Sequence, residues 1–282
     1  MYTAVGISIW SIPMALAVKW HIYSGVAFGI LGWVVVIIFV VNRFRGKNGS
    51  GFPAVRFEKA DWYLLAVLAV TAGCYFTRPA ESIIGGRDMG IYTNHAIYIA
   101  HHRRLDVPYP WQSDGDTISA SAFQIFPALY YTQPTMTVQF AHLYPIWLAQ
   151  TFCSFDYQGM IRFNGLMGLL GLCILYGVFR KVLSAKYAIG AIIIIALNPG
   201  QLWTVHVTLT EIFTQFIIWT GFLLFTQSLT DKSVRIAGWS GFLMGMSIWI
   251  RIDSLLLLPF LLVAHLIYRS IDADSDLSTD FV

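Results

Sequence analysis

Charge is what this sequence has least of. Only 12% of its 282 residues are Asp, Glu, Lys or Arg, about half the share usual in soluble domains, while 57% are apolar. The deficit excludes one large soluble core, because long uncharged runs recur along the chain instead of alternating with polar faces. A continuous basic stripe is missing as well: the net charge is +3, and the 18 Lys and Arg residues are scattered or sit at segment ends. Nucleic acid is thereby excluded as a partner. Cysteine is scarce. Cys74, Cys153 and Cys173 lie in apolar surroundings with neither CxxC spacing nor a histidine at metal-ligand intervals, and read as buried small hydrophobes. The N-terminus lacks a positive n-region, so Met1 to Val18 reads as a retained first span and not as a secretory signal.

What the chain does have is apolar segments. A helix needs about 20 residues to cross about 30 Å of hydrocarbon. Candidates are Ala4–Val18, Tyr23–Val41, Trp62–Phe76, Phe163–Val178, Tyr187–Leu197, Ile212–Leu229, Ile236–Ile250 and Ser254–Tyr268. The expectation is an all-α polytopic membrane protein of about eight transmembrane helices. Two extra helices occupy 1–41, a basic cytoplasmic loop 42–61, the main module 62–268, and an acidic cytoplasmic tail 269–282.

Basic loops orient the spans. Arg43, Arg45, Lys47, Arg56 and Lys59 assign the first loop to the cytoplasm, so Trp62–Phe76 exits outward and the segment 77–162 is external. Arg180, Lys181 and Lys186 mark a second internal loop, which requires that Phe140–Phe155 not cross. His142 and Pro145 interrupt that piece, and it reads as a juxtamembrane helix in the long outer loop. Lys232 and Arg235 agree with the same scheme. Trp62 and Trp239 then fall near the inner interface, and Trp20, Trp147, Trp203 and Trp249 near the outer one.

The outer face gathers the ionisable residues. In "GGRDMG", Asp88 has two readings: a cap for the helix that follows, or a carboxylate fixed at a lipid–water boundary as a general base. His95 and His102, seven apart, share one helical face and with Asp88 are the candidate ligands of a divalent metal ion, against the commoner reading of solvated interfacial histidines. No motif demands a cofactor. Arg103 and Arg104 can meet lipid phosphates or merely end a helix. Thr208 and Glu211 fit a capping box at the outer end of a span. Arg251 and Asp253 split an apolar stretch, either as an ion pair or as a phosphate-holding cation with its partner.

"IIGGRDMGIYTNHAIYIAHHRRLDVP", "FAHLYPIWLA", "ALNPGQLWTVHVTLTEIFTQF" and "GFLMGMSIWIRIDSLLLLP", in that order, resemble the GT-C superfamily of membrane glycosyltransferases, relatives of protein O-mannosyltransferases and aminoarabinose transferases. The resemblance spans about Trp62 to Tyr268. It implies an inverting, multi-pass enzyme of the plasma (inner) membrane whose active face is extracytoplasmic. The sugar would move from a polyprenyl-phosphate donor to a lipid, glycan or protein acceptor, amid membrane lipids. By that resemblance Asp88 is the catalytic base, and Arg251, Arg87, Arg103 and Arg104 are candidates for the donor phosphate. Glu211, His95, His142 and Asp253 would orient sugar or acceptor. Such enzymes usually continue through further spans, which implies that Val282 ends a partial chain. A non-catalytic subunit on the same scaffold and a transporter subunit are the competing expectations.

Overall fold

The computed structural model describes residues 2–32, 34–35, 58–81, 87–108, 129–132, 135–257 and 259–268. Most of them are helical. The helices are α1 (Tyr2–Lys19), α2 (Lys59–Phe76), α3 (Arg87–His102), α4 (Leu143–Ile161), α5 (Phe163–Phe179), α6 (Ala185–Ala196), α7 (Pro199–His206), α8 (Thr210–Thr230) and α9 (Val234–Ile248). Helical stretches also cover 25–32 and 259–268, and a 3-10 turn spans Ile252–Leu256. The first basic loop, apart from Glu58 to Asp61, and the acidic tail lie outside the described residues.

The starts of these helices are chemically marked. Asp61 accepts the Glu58 amide at 2.8 Å at the head of α2. Asn198 accepts the Gly200 and Gln201 amides ahead of Pro199, which costs α7 nothing at its first position. His142 and Pro145 do not interrupt α4 as expected. They begin it, His142 at the cap and Pro145 in the first turn, where a missing N–H has no partner to lose.

Helix α8 packs most heavily on α9 and α5, and α3 on α4. Small residues let the backbones approach. A Cβ at Gly221 of α8 would stand 2.7 Å from Met244 Cγ of α9, and one at Gly168 of α5 would stand 2.9 Å from Val205 Cγ1. The core where α4, α5 and α8 meet is aromatic: Phe163 meets Phe213 edge-on at 5.4 Å, with Tyr144 and Trp147 around them.

Three expectations are corrected. The outer segment is not purely helical: β1 (Val107–Pro108), β2 (Leu129–Thr132) and β3 (Thr135–Val138) form an antiparallel sheet in the order β1-β3-β2. The Met136–Val138 alternation with polar neighbours buries one face only, a pattern too short to stand out in sequence. Cys74 and Cys173 are exposed and Cys153 half-buried, because each exposed thiol sits on an outward face of an apolar helix. Trp147 does not keep its indole N–H for the headgroups: its Nε1 donates to Ser11 Oγ at 2.7 Å, joining α4 to α1.

By length and apolar character, one helix among the described residues, α8, is able to cross a membrane alone. The number rises to three if α4 with α5, bent by 84°, and α6 with α7, bent by 59°, each count as one broken span. Among the remaining apolar runs, Val5–Lys19 and Ile252–Tyr268 are shorter than a span, and α2, 18 residues long, is not apolar enough to count as one.

Candidate active site

Helix α8 starts after an extended step, with Val207 and Leu209 both near φ −118°. Extended backbone in a buried position must find partners for its carbonyls. Asn164 of α5 supplies them: its Nδ2 donates to the Val207 and Leu209 carbonyls at 2.7 Å each, and Tyr144 donates its hydroxyl to Asn164 Oδ1 at 3.1 Å. The Leu209 amide also donates to the Val207 carbonyl at 3.0 Å, closing a tight turn centred on Thr208, whose side chain faces α3. Its hydroxyl donates to the Met89 carbonyl at 3.1 Å and shares a hydrogen bond with Thr93 at 2.8 Å. One buried asparagine and one buried threonine thus hold the first turn of α3, which carries Asp88, beside the first turn of α8, which carries Glu211.

The capping box expected of Thr208 and Glu211 does not form. Leu209 occupies the cap, Thr208 is spent on Met89, and the Glu211 carboxylate turns to Arg251. Arg251 Nη1 lies 2.6 Å from Glu211 Oε1 and 3.2 Å from Thr210 Oγ1. Its Nε and Nη2 hold Asp253 in a fork at 2.7 to 3.2 Å. The fork holds the Asp253 carboxyl below the usual carboxylate range, and its two carboxylates raise the Arg251 guanidinium above its ordinary value.

Tyr92 sits at the centre. One turn after Asp88 on the same helical face, it is 5% exposed, and Thr210, Asp88, Arg251 and Glu211 all act on its hydroxyl. Burial foremost pushes that hydroxyl up to about 12; Thr210 and Arg251 oppose the rise, while Asp88 and Glu211 add to it. Asp88 itself is half-buried in the first turn of α3, where the helix dipole favours a negative charge. Among the described residues it has no hydrogen-bond or ion-pair partner. Glu211 and Asp253 thus divide one guanidinium between them, and among the described residues Asp88 is left without a cation.

No family model, curated protein or solved structure matches this chain. Function must be argued from the cluster itself.

The other expected site residues are elsewhere. Arg103 and Arg104 follow the end of α3, about 22 Å along its axis from Asp88, too far to serve one phosphate with it. The Arg87 side chain lies outside the described residues. His95 and His102 do not share a surface: His95 is 3% exposed, whereas His102 is exposed and stacks on Tyr98 at 4.4 Å. His95 pairs instead with His142, ring to ring at 5.6 Å, and its Nε2 faces the Leu105 carbonyl at 2.9 Å. That carbonyl fixes the proton on Nε2. Neither Nδ1 has a partner among the described residues. Burial pulls both imidazoles down, His95 to about 4. Among the described residues no group of three His, Cys, Asp or Glu side chains gathers to hold a metal ion. Tyr92, Thr210 and Asn164 were not singled out from sequence. The i, i+4 spacing of Asp88 and Tyr92 was the available signal for the first, and Asn164 had none.

Proposed function

We propose that the chain is a polytopic membrane glycosyltransferase, or the catalytic part of one, of the GT-C kind. The sugar passes from a polyprenyl phosphate to an acceptor hydroxyl at the extracytoplasmic face. The observation that carries this is the Asp88 carboxylate, without an ion-pair partner among the described residues, set across Tyr92 from the Arg251–Glu211 pair. Support for membrane residence comes from α8, from the two bent helix pairs and from the shortage of charge. The 84° bend between α4 and α5 suits a helix that lies along the surface above one that enters it.

In the reaction Asp88 removes the acceptor hydroxyl proton as that oxygen attacks the anomeric carbon. The bond from the anomeric carbon to the phosphate oxygen breaks, its electron pair leaves with the phosphate, and the configuration inverts. Arg251 meets the charge that builds on the leaving phosphate. Asp253, the more exposed of its two partners, gives way to the incoming phosphate, while Glu211 keeps the guanidinium aimed. Transfer from a labelled polyprenyl-phosphate sugar in membranes, compared between the native chain and Asp88→Asn, tests the reaction.

The saturation of Arg251 by two carboxylates favours a second reading, a non-catalytic subunit on the same scaffold. It requires that Asp88→Asn leave transfer by the whole assembly unchanged.

A further inference from the structure

An apolar cavity of about 890 Å³ lies apart from the acidic cluster, between α1, the start of α4 and α9. Its volume is within the range of pockets that enclose ligands. Helix α1 flanks it from Ser11 to Lys19, about 12 Å of rise, and α9 flanks it from Phe242 to Trp249, about 10 Å. Its polar groups are few. At one end the Ser11 hydroxyl is already spent, donating to the Ile7 carbonyl and accepting from Trp147. At the other, the end of α1, stands the exposed Lys19, while His142 and Trp249, 62% exposed, line the cavity from the start of α4 and just past the end of α9. No carboxylate lines the cavity, and Lys19 has no ion-pair partner among the described residues. Its ammonium is not needed to finish α1 either, because the amides of Trp20, His21 and Ile22 already take the Leu16, Val18 and Ala17 carbonyls. The wall is open at Gly245, where an added Cβ would meet nothing within 4 Å.

An apolar slot with one free cation at its mouth has the shape and polarity of an amphiphile site. We infer that this cavity binds an anionic phospholipid, its headgroup at Lys19 and an acyl chain running past Gly245 toward Ser11. The inference rests on the membrane residence proposed above and not on the sugar-transfer chemistry. The slot's one charged lining residue, Lys19, belongs to α1, outside the 62–268 region that carries the glycosyltransferase resemblance, and neither Asp88, Glu211 nor Arg251 lines it, so its lipid is a resident one and not the sugar donor. A juxtamembrane Lys beside an anionic surface contributes an affinity factor of about five.

The test is native mass spectrometry of the full purified chain in mixed micelles of phosphatidylglycerol and phosphatidylcholine in equal amounts. The native chain should retain phosphatidylglycerol in preference, and Lys19→Gln should lower that preference about fivefold. Gly245→Leu and Ala15→Phe, which fill the slot from opposite walls, should each reduce retention of both lipids at an unchanged melting temperature. Equal retention of the two lipids by the native chain, an unaltered preference in Lys19→Gln, or full retention in both filled variants would overturn the inference. Sugar transfer is not read in this experiment, so its failure leaves the proposed reaction intact.

Discussion

Glu211 Oε1 lies 2.6 Å from Arg251 Nη1, an ion pair closed across 40 residues of sequence. The pair is partly exposed, 33% on the arginine and 44% on the glutamate, so water screens it and its share in stability is small. Its use is directional, since a guanidinium held at one corner presents its remaining donors to one side.

Arg251→Gln should therefore separate stability from activity. The melting temperature in detergent should fall by an amount equivalent to no more than about 1 kcal/mol, typical of exposed pairs. Sugar transfer should fall about 100-fold or more, as for the loss of a group that meets developing charge. A large drop in melting temperature with transfer per folded molecule unchanged would make Arg251 structural.

Asn164→Leu should lower stability and activity together. The Val207 and Leu209 carbonyls each lose a side-chain donor, although Val207 keeps the Leu209 amide, and the buried Tyr144 hydroxyl loses its acceptor, at roughly 1–3 kcal/mol in all. Thermal unfolding should report the loss, and transfer should fall with it because the Asp88 and Glu211 turns are no longer held together. Native-like unfolding in this variant would show that Asn164 does not brace the site.

Stability should depend on pH through His95. Its folded value, about 4, is below its unfolded value of 6.5, so the unfolded chain takes up the proton first as pH falls. The stabilisation is intact above pH 6.5 and is lost as pH drops toward 4, by on the order of 3 kcal/mol. His142, shifted in the same direction by burial, adds to the loss. His95→Phe should flatten the melting temperature between pH 7.5 and 5; an equal slope in the native chain and the variant would contradict the assignment.

The proposed orientation predicts which residues an impermeant thiol reagent reaches in intact cells. A cysteine at the exposed His101 should label from outside, and one at Lys181 only after permeabilisation. The reverse pattern would invert the topology.

Much of the helical frame was legible because the signals are local. The apolar run Phe163–Val178 became α5 and Ile212–Leu229 became α8, each within one or two residues at either end. Asp253 was foreseeable as a partner of Arg251, two residues away. The exchange of Thr208 from a capping box to the Met89 carbonyl was not, because a cap competes with a tertiary acceptor 119 residues distant, which sequence spacing does not encode. The same holds for His95, whose i+7 neighbour His102 is exposed while the ring it meets, His142, arrives from another helix. The eight expected spans were counted from composition. Among the described residues one to three candidates meet a span's length and apolar character, because breaks at 180–184 and 197–198 and the turn at Arg162 divide the apolar stretches into separate helices.

The most direct measurement is transfer from a labelled polyprenyl-phosphate sugar by membranes containing the native chain or Asp88→Asn, at matched protein level. Asparagine keeps the size of the side chain and removes its ability to take a proton, so turnover should fall about 100- to 10,000-fold, the range typical of a lost general base. Turnover within twofold of native would contradict Asp88 as the base, and with it the proposed reaction.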